Sequence, residues 1–200
     1  MRAFAMNNSD SKYLNYGPFC DPSNPEIAKL ANQICAGKNK ALEGIELFNW
    51  VRDQIKYQVI GLESASATLA RGEGCCLAKS NLLVALARAK GIPARYRQFT
   101  GFLNSPDEQI AKLKHQHIIA ELFVNGQWVA GDPAYDATIE TVYEKGELGK
   151  TTWHNLSTDK VFENLPHWLW LVQRIIIWVS PSAHLVRRKV AKALINNIKL

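Results

Sequence analysis

The chain has 200 residues, of which 47% are apolar and 21% charged, with a formal net charge of +6. That is the size and make-up of one sizeable domain with its own core, and too long and cysteine-poor for a disulfide scaffold. Cys20, Cys35, Cys75 and Cys76 lack the paired spacings that hold zinc, so neither a metal nor a cofactor is expected. Five of the basic residues (Arg187, Arg188, Lys189, Lys192, Lys199) fall after Ser182 with no acid among them, which leaves the body nearly neutral. A high isoelectric point that belongs to the tail alone argues for no nucleic-acid partner.

The first residues, rich in Asn, Ser, Gly and Pro, carry no apolar core of signal-peptide length, and the expected location is the cytoplasm, with reduced thiols. "NPEIAKLANQICAG" then predicts a helix, with Pro25 in its first turn and Gly37 at its end. Ala41, Ile45, Phe48, Val51 and Ile55 recur at three- and four-residue intervals, the stripe of a second, amphipathic helix. After Gly61 and a Ser/Ala-rich connection comes "GEGCCLAKS", two adjacent thiols where a glycine-loosened loop enters an apolar stretch. From Cys76 to Lys90 the apolar residues cover most of a helical circumference, and Gly91 and Pro93 stop it. A helix apolar nearly all round is a buried one.

"ARYRQFTGF" and "HQHIIAELFVNGQWVAGDPAYD" predict strands, the second folded at Asn125-Gly126 into a two-residue hairpin. Helices followed by an antiparallel sheet define an α+β class, with the buried helix packed on the sheet. Residues 135–165 are polar and predict irregular structure. "LPHWLWLVQRIIIWVSP" contains Arg174 and falls short of the ~20 residues of a membrane span. Beyond it, Val186, Val190, Leu194 and Ile198 recur every four residues beside a basic face. The expected organisation is a domain over residues 1–160 and a helical basic appendage over 161–200. That appendage would pack on the domain, self-associate, or contact a membrane surface.

The hairpin register brings two chemical groups together. With Val124 opposite Gln127, Ile119 faces Asp132, and His117 shares a face with Asp132 as its diagonal neighbour. Diagonal Cβ atoms lie about 7 Å apart, within reach of an imidazole and a carboxylate. His115 opposite Asp136 is a rival pair, but Pro133 cannot donate to the ladder and ends regular pairing before it. A thiol, an imidazole and a carboxylate together are the groups that nucleophilic catalysis uses.

At these residues the sequence resembles the transglutaminase-like family of the papain-like cysteine hydrolase superfamily. The first block is Gly74-Cys75-Cys76 followed by "LAKSNLLVALARAKGIPAR", with Arg88 and the Gly91-Ile92-Pro93-Ala94-Arg95 ending in register. The second is His117, Glu121, Trp128, Asp132 and Pro133. "FNWVRDQIKY" and "SASATLARGEG" extend the likeness, which spans roughly residues 25 to 134. Two positions depart from the pattern: Ile119, where an aromatic is common, and Lys79, where many members have an aromatic and a subset lysine.

The resemblance implies a papain/transglutaminase-like core and a triad in which Cys76 is the nucleophile, His117 its proton partner and Asp132 the orienting carboxylate. Cys75 fills the variable slot, and because adjacent helical side chains point about 100° apart, only one thiol can face the ring. The helix N-terminus and an imidazolium should both depress the Cys76 pKa. The backbone N–H of Cys76 is one oxyanion donor, with Trp50 and Tyr57 as candidates for a second. The implied activity is thiol-dependent acyl transfer on peptide or protein amides through a thioester. With no calcium-loop motif, a peptidase or amidase is favoured over crosslinking. The alternatives are an amine-accepting transglutaminase and a catalytically silent scaffolding module of the same fold.

Overall fold

In the computed structural model, which describes residues 11–58, 63–103, 108, 112, 114–134 and 153–168, the three helices that precede the adjacent thiols each begin on a capping side chain. α1 (Pro25–Ile34) begins with Asn24 accepting the Glu26 N–H at 3.0 Å and Pro25 in the first turn, and it buries Ile27 and Ala31. α2 (Lys40–Gln54) is capped by Asn39, which accepts the Leu42 N–H at 3.0 Å. Its buried face runs through Leu47, Phe48, Val51 and Ile55. Ile45, expected on that face, is 42% exposed. Leu47 shifts the centre of the buried stripe, and Ile45 then lies roughly 100° around the helix from it.

The two-residue strand β1 (Lys56–Tyr57) follows, then α3 (Ala65–Arg71), which is capped by Ser64 and closed by Gly72 at φ +72°. β2 (Glu73–Gly74) returns parallel to β1, with Tyr57 opposite Gly74. α4 (Cys76–Ala89) is buried from Leu77 to Arg88, as its apolar circumference requires. One side of it packs against α1, α2 and α3 and the other against the sheet, through Tyr96, Ile118, Ala120 and Leu122. The buried polar groups of α4 are matched. Asn81 donates to the Phe19 carbonyl and accepts from the Tyr96 hydroxyl, each at 2.8 Å. Arg88 donates to the carbonyls of Ala94, Asn15 and Glu163 and to the Asn164 side chain.

The sheet is antiparallel, in the order β5-β4-β3-β6, from β3 (Ala94–Leu103), β4 (Lys114–Val124), β5 (Gln127–Gly131) and β6 (Trp153–Phe162). The β4–β5 hairpin has the expected register, Val124 opposite Gln127, through to Ala120 opposite Gly131. Asn125 and Gly126 have φ of +53° and +81°, as a type I′ turn demands.

β6 corrects the reading of residues 135–165 as irregular. "WHNLSTDKVF" has no clean alternation of apolar and polar residues. It pairs on one side, with β3, across two register shifts, and such an edge strand needs no regular inward face. Leu165, just beyond it, is in the core. Asp136 of the rival pair and residues 169–200 of the predicted appendage lie outside the described residues. Among the described residues no helix is long and apolar enough to cross a membrane.

Candidate active site

The site begins with a proline that cannot donate. In the hairpin register the residue opposite Ile118 is Pro133, and the observed ladder ends before it, at Ala120 opposite Gly131. The Ile118 N–H and C=O therefore face outward from β4 with no strand to meet them. The first turns of α4 fill that gap. The Ser80 hydroxyl donates to the Ile118 carbonyl at 3.0 Å, and the Ile118 N–H points at the Cys76 sulfur. The predicted nucleophile is thus seated on the peptide group that follows His117.

The approach to the thiol is fixed by close contact. A Cβ on Gly74 would lie 2.8 Å from the Ala78 Cβ and 3.3 Å from Thr68 Cγ2, so only glycine lets β2 run this close to the helix. Gly74 is also held from just beyond β1, where its carbonyl accepts the Gln58 N–H at 3.0 Å. Cys75 takes the extended N-cap conformation (φ −79°, ψ 179°) and Cys76 is the first helical residue.

On β4 and the turn after β5, His117 and Asp132 meet as the register predicts. His117 Nε2 is 2.6 Å from Asp132 Oδ2, and both residues are buried. A carboxylate at that distance fixes the ring proton on Nε2 and directs Nδ1 to the opposite edge of the ring. The other oxygen, Oδ1, accepts the Ala134 N–H at 3.0 Å. Lys79, almost fully buried, donates through Nζ to the Ala134 carbonyl at 3.4 Å and to the Arg52 carbonyl at 3.0 Å. Read from sequence, Lys79 was only a departure from a pattern. The available signal was a cation on a helix otherwise apolar all round.

The two thiols behave as a pair, not as one reactive and one inert group. The side chains hydrogen-bond to each other, and this bond is the largest influence on both. It lowers Cys75 to about 6 against the opposition of burial. The N–H groups of Ala78 and Leu77 face the Cys75 sulfur without closing a full capping bond, and they add to the lowering. Cys76 is pushed well above its ordinary value by the bond to Cys75, by burial, and by the negative charges of Cys75 and Asp132, and the Ile118 N–H opposes this. The direction at Cys76 runs against the expectation of a depressed thiol, because the N-terminal amides of α4 favour negative charge on Cys75. Both residues are half-buried.

Of the two candidate oxyanion donors, Tyr57 lies on β1 with its backbone beside Gly74, and Trp50 packs against the core from α2. Among the described residues no cluster of three or more His, Cys, Asp or Glu side chains is arranged to hold a metal.

A half-buried thiol at the start of a central helix, set against the open edge of an antiparallel sheet that carries a His–Asp pair, defines a class of papain-like architecture. The chain belongs to the transglutaminase-like superfamily, whose family model matches residues 28–133. A proposed cysteine protease from Cytophaga hutchinsonii shares the fold with a TM-score of 0.54 at 23% identity, over 65% of this chain and 43% of that one. The periplasmic domain of TgpA from Pseudomonas aeruginosa, solved with ethylmercury bound, matches with a TM-score of 0.50 at 20% identity, over 66% of this chain and 51% of that one. The chain therefore spans about half or less of these solved relatives. A search of the curated proteins found no match.

Proposed function

We propose that this chain is a thiol-dependent hydrolase of peptide or protein amides, with Cys76 as nucleophile, His117 as general acid and base, and Asp132 as orienting carboxylate. The observation that carries this reading is the 2.6 Å bond between His117 Nε2 and Asp132, one peptide away from the Ile118 N–H that holds the Cys76 sulfur. The bond commits Nε2 and turns Nδ1 into the proton-carrying nitrogen of the reaction.

In this scheme Nδ1 takes the Cys76 proton as substrate binds, and the thiolate attacks the amide carbonyl carbon. The Cys76 backbone N–H, at the positive end of α4, stabilises the oxyanion. The imidazolium returns its proton to the departing amine, which leaves a thioester on Cys76. Water, deprotonated by Nδ1, then releases the acid and restores the thiol. The proposed location is the cytoplasm, whose reducing medium keeps Cys75 and Cys76 as thiols.

The test uses p-nitrophenyl acetate as a generic acyl donor, with methylamine as competing acceptor, and maps the acylated residue by peptide mass. The expected result is acetyl on Cys76 in the wild type and none in Cys76→Ser. Turnover should be slowed about a hundredfold in His117→Ala, with acetate outweighing N-methylacetamide among the products. Acetylation confined to Cys75 would contradict the assignment of the nucleophile. A predominance of the amide product would make the chain a transamidase instead.

A further inference from the structure

We propose that Lys79 is a positioning residue for the candidate triad, acting through the backbone of Ala134. This inference rests on the functional reading above. Asp132 and Lys79 grip the same turn residue from its two polar ends: the carboxylate takes the Ala134 N–H at 3.0 Å and the ammonium takes its C=O at 3.4 Å. The remaining Asp132 oxygen is the one bonded to His117. The rotation of the carboxylate, and with it the plane of the imidazole, is therefore set by where Ala134 sits.

Among the described residues the β4–β5 ladder does not reach that turn. Regular β4–β5 pairing ends at Gly131, and Pro133 supplies no donor. Lys79 is well placed for the task because its own anchors are rigid. Its backbone N–H closes the first full turn of α4 onto the Cys75 carbonyl at 2.9 Å. Its Nζ also donates at 3.0 Å to the Arg52 carbonyl in the last turn of α2. A cation is favoured at a helix C-terminus. One side chain thus ties the end of α2, the helix that carries the nucleophile, and the turn that carries Asp132. The same chain of contacts makes Lys79 specific: methionine at this position fills the space without donating, and arginine can donate to both carbonyls.

The experiment follows the His117 ring proton by NMR in the full chain, assigned by its absence in His117→Ala, together with the rate of Cys76 alkylation by iodoacetamide at neutral pH. In the wild type the proton should lie far downfield and exchange slowly. Lys79→Met should broaden or remove it and slow Cys76 alkylation about tenfold while thermal unfolding stays cooperative, and Lys79→Arg should restore both readouts. A Lys79→Met protein that keeps the downfield proton and the wild-type rate overturns the proposal. If Lys79→Met does not fold, amide exchange in the wild type decides: an Ala134 N–H protected as strongly as those of β4 is the expected result, and an unprotected one overturns the proposal. The two readings fail separately. Loss of the downfield proton in Lys79→Met alongside acyl transfer that is unchanged in Cys76→Ser sinks the nucleophile and keeps the clamp, and the reverse pattern does the opposite.

Discussion

Two adjacent cysteines share a motif but occupy different electrostatic positions. Cys75 is the cap and Cys76 the first helical residue, and the hydrogen bond between their sulfurs couples the titration of each to the other. The sign of each substitution follows. In Cys75→Ala the largest cause that raises Cys76 is gone, so its thiolate should form at lower pH than in the wild type. In Cys76→Ala the bond that lowers Cys75 is gone, so its midpoint should rise from about 6. Ultraviolet thiolate absorbance against pH measures both, and identical titrations in the two variants would refute the coupling. Of these features, the sequence disclosed the His117–Asp132 pairing because a two-residue turn fixes register without reference to anything else in the fold. The thiol electrostatics were not legible, since they depend on which backbone amides face which sulfur, and that is set by the docking of α4 on β4.

At the scale of elements, the junction of α4 with the open edge of β4 is what places the thiol. Ser80 carries part of it, and Ser80→Ala leaves the Ile118 carbonyl without its donor in a buried setting. The expected cost is about 1–3 kcal/mol of stability, with slower Cys76 alkylation, checked by urea denaturation and by labelling rates. A variant that loses stability but labels at the wild-type rate would show that α4 does not need this bond to seat Cys76. Gly74→Ala tests the approach from the other side. The added methyl would meet the Ala78 Cβ at 2.8 Å, and neither β2 nor the first turn of α4 has a flexible side chain to yield. Cys76 alkylation should fall with little change in far-ultraviolet circular dichroism. The helices were readable because their caps and glycine or proline stops are local, whereas the precise buried face of α2 was not. Ile45 obeys the period as well as Val51 does, and only the position of the neighbours decides which side is covered. β6 escaped for a related reason, since an edge strand with register shifts shows no period of two.

For the whole molecule, the core is closed around groups that resist ionisation. Burial raises Cys20 and Cys35 above their ordinary 9.0, and it holds the Tyr96 phenol well above its ordinary 10.0. A folded-state pKa above the unfolded one means that the folded chain keeps protons that the unfolded chain releases. Stability is then fully present below pH about 9 and declines as the pH rises above it. Thermal unfolding monitored from neutral to alkaline pH should show this decline, and a Cys20→Ala variant should show less of it. A midpoint indifferent to pH across that window would contradict the packing described. Arg88 closes the same core by joining the carbonyls of Asn15, Ala94 and Glu163, so the N-terminal segment and the end of β6 are bound to α4 through one guanidinium. Arg88 could be read as part of a motif, but its partners, far away along the chain, could not.

The central claim is that Cys76 draws its reactivity from the His117–Asp132 pair. Its most direct measurement is the rate of iodoacetamide alkylation of each cysteine against pH, resolved by peptide mass, in the wild type, Cys76→Ser and His117→Ala. The account predicts Cys76 labelling that disappears in Cys76→Ser and is displaced to higher pH in His117→Ala, with labelling at mildly acidic pH confined to Cys75. A Cys76 labelling profile that stays the same whether or not residue 117 is histidine would contradict it.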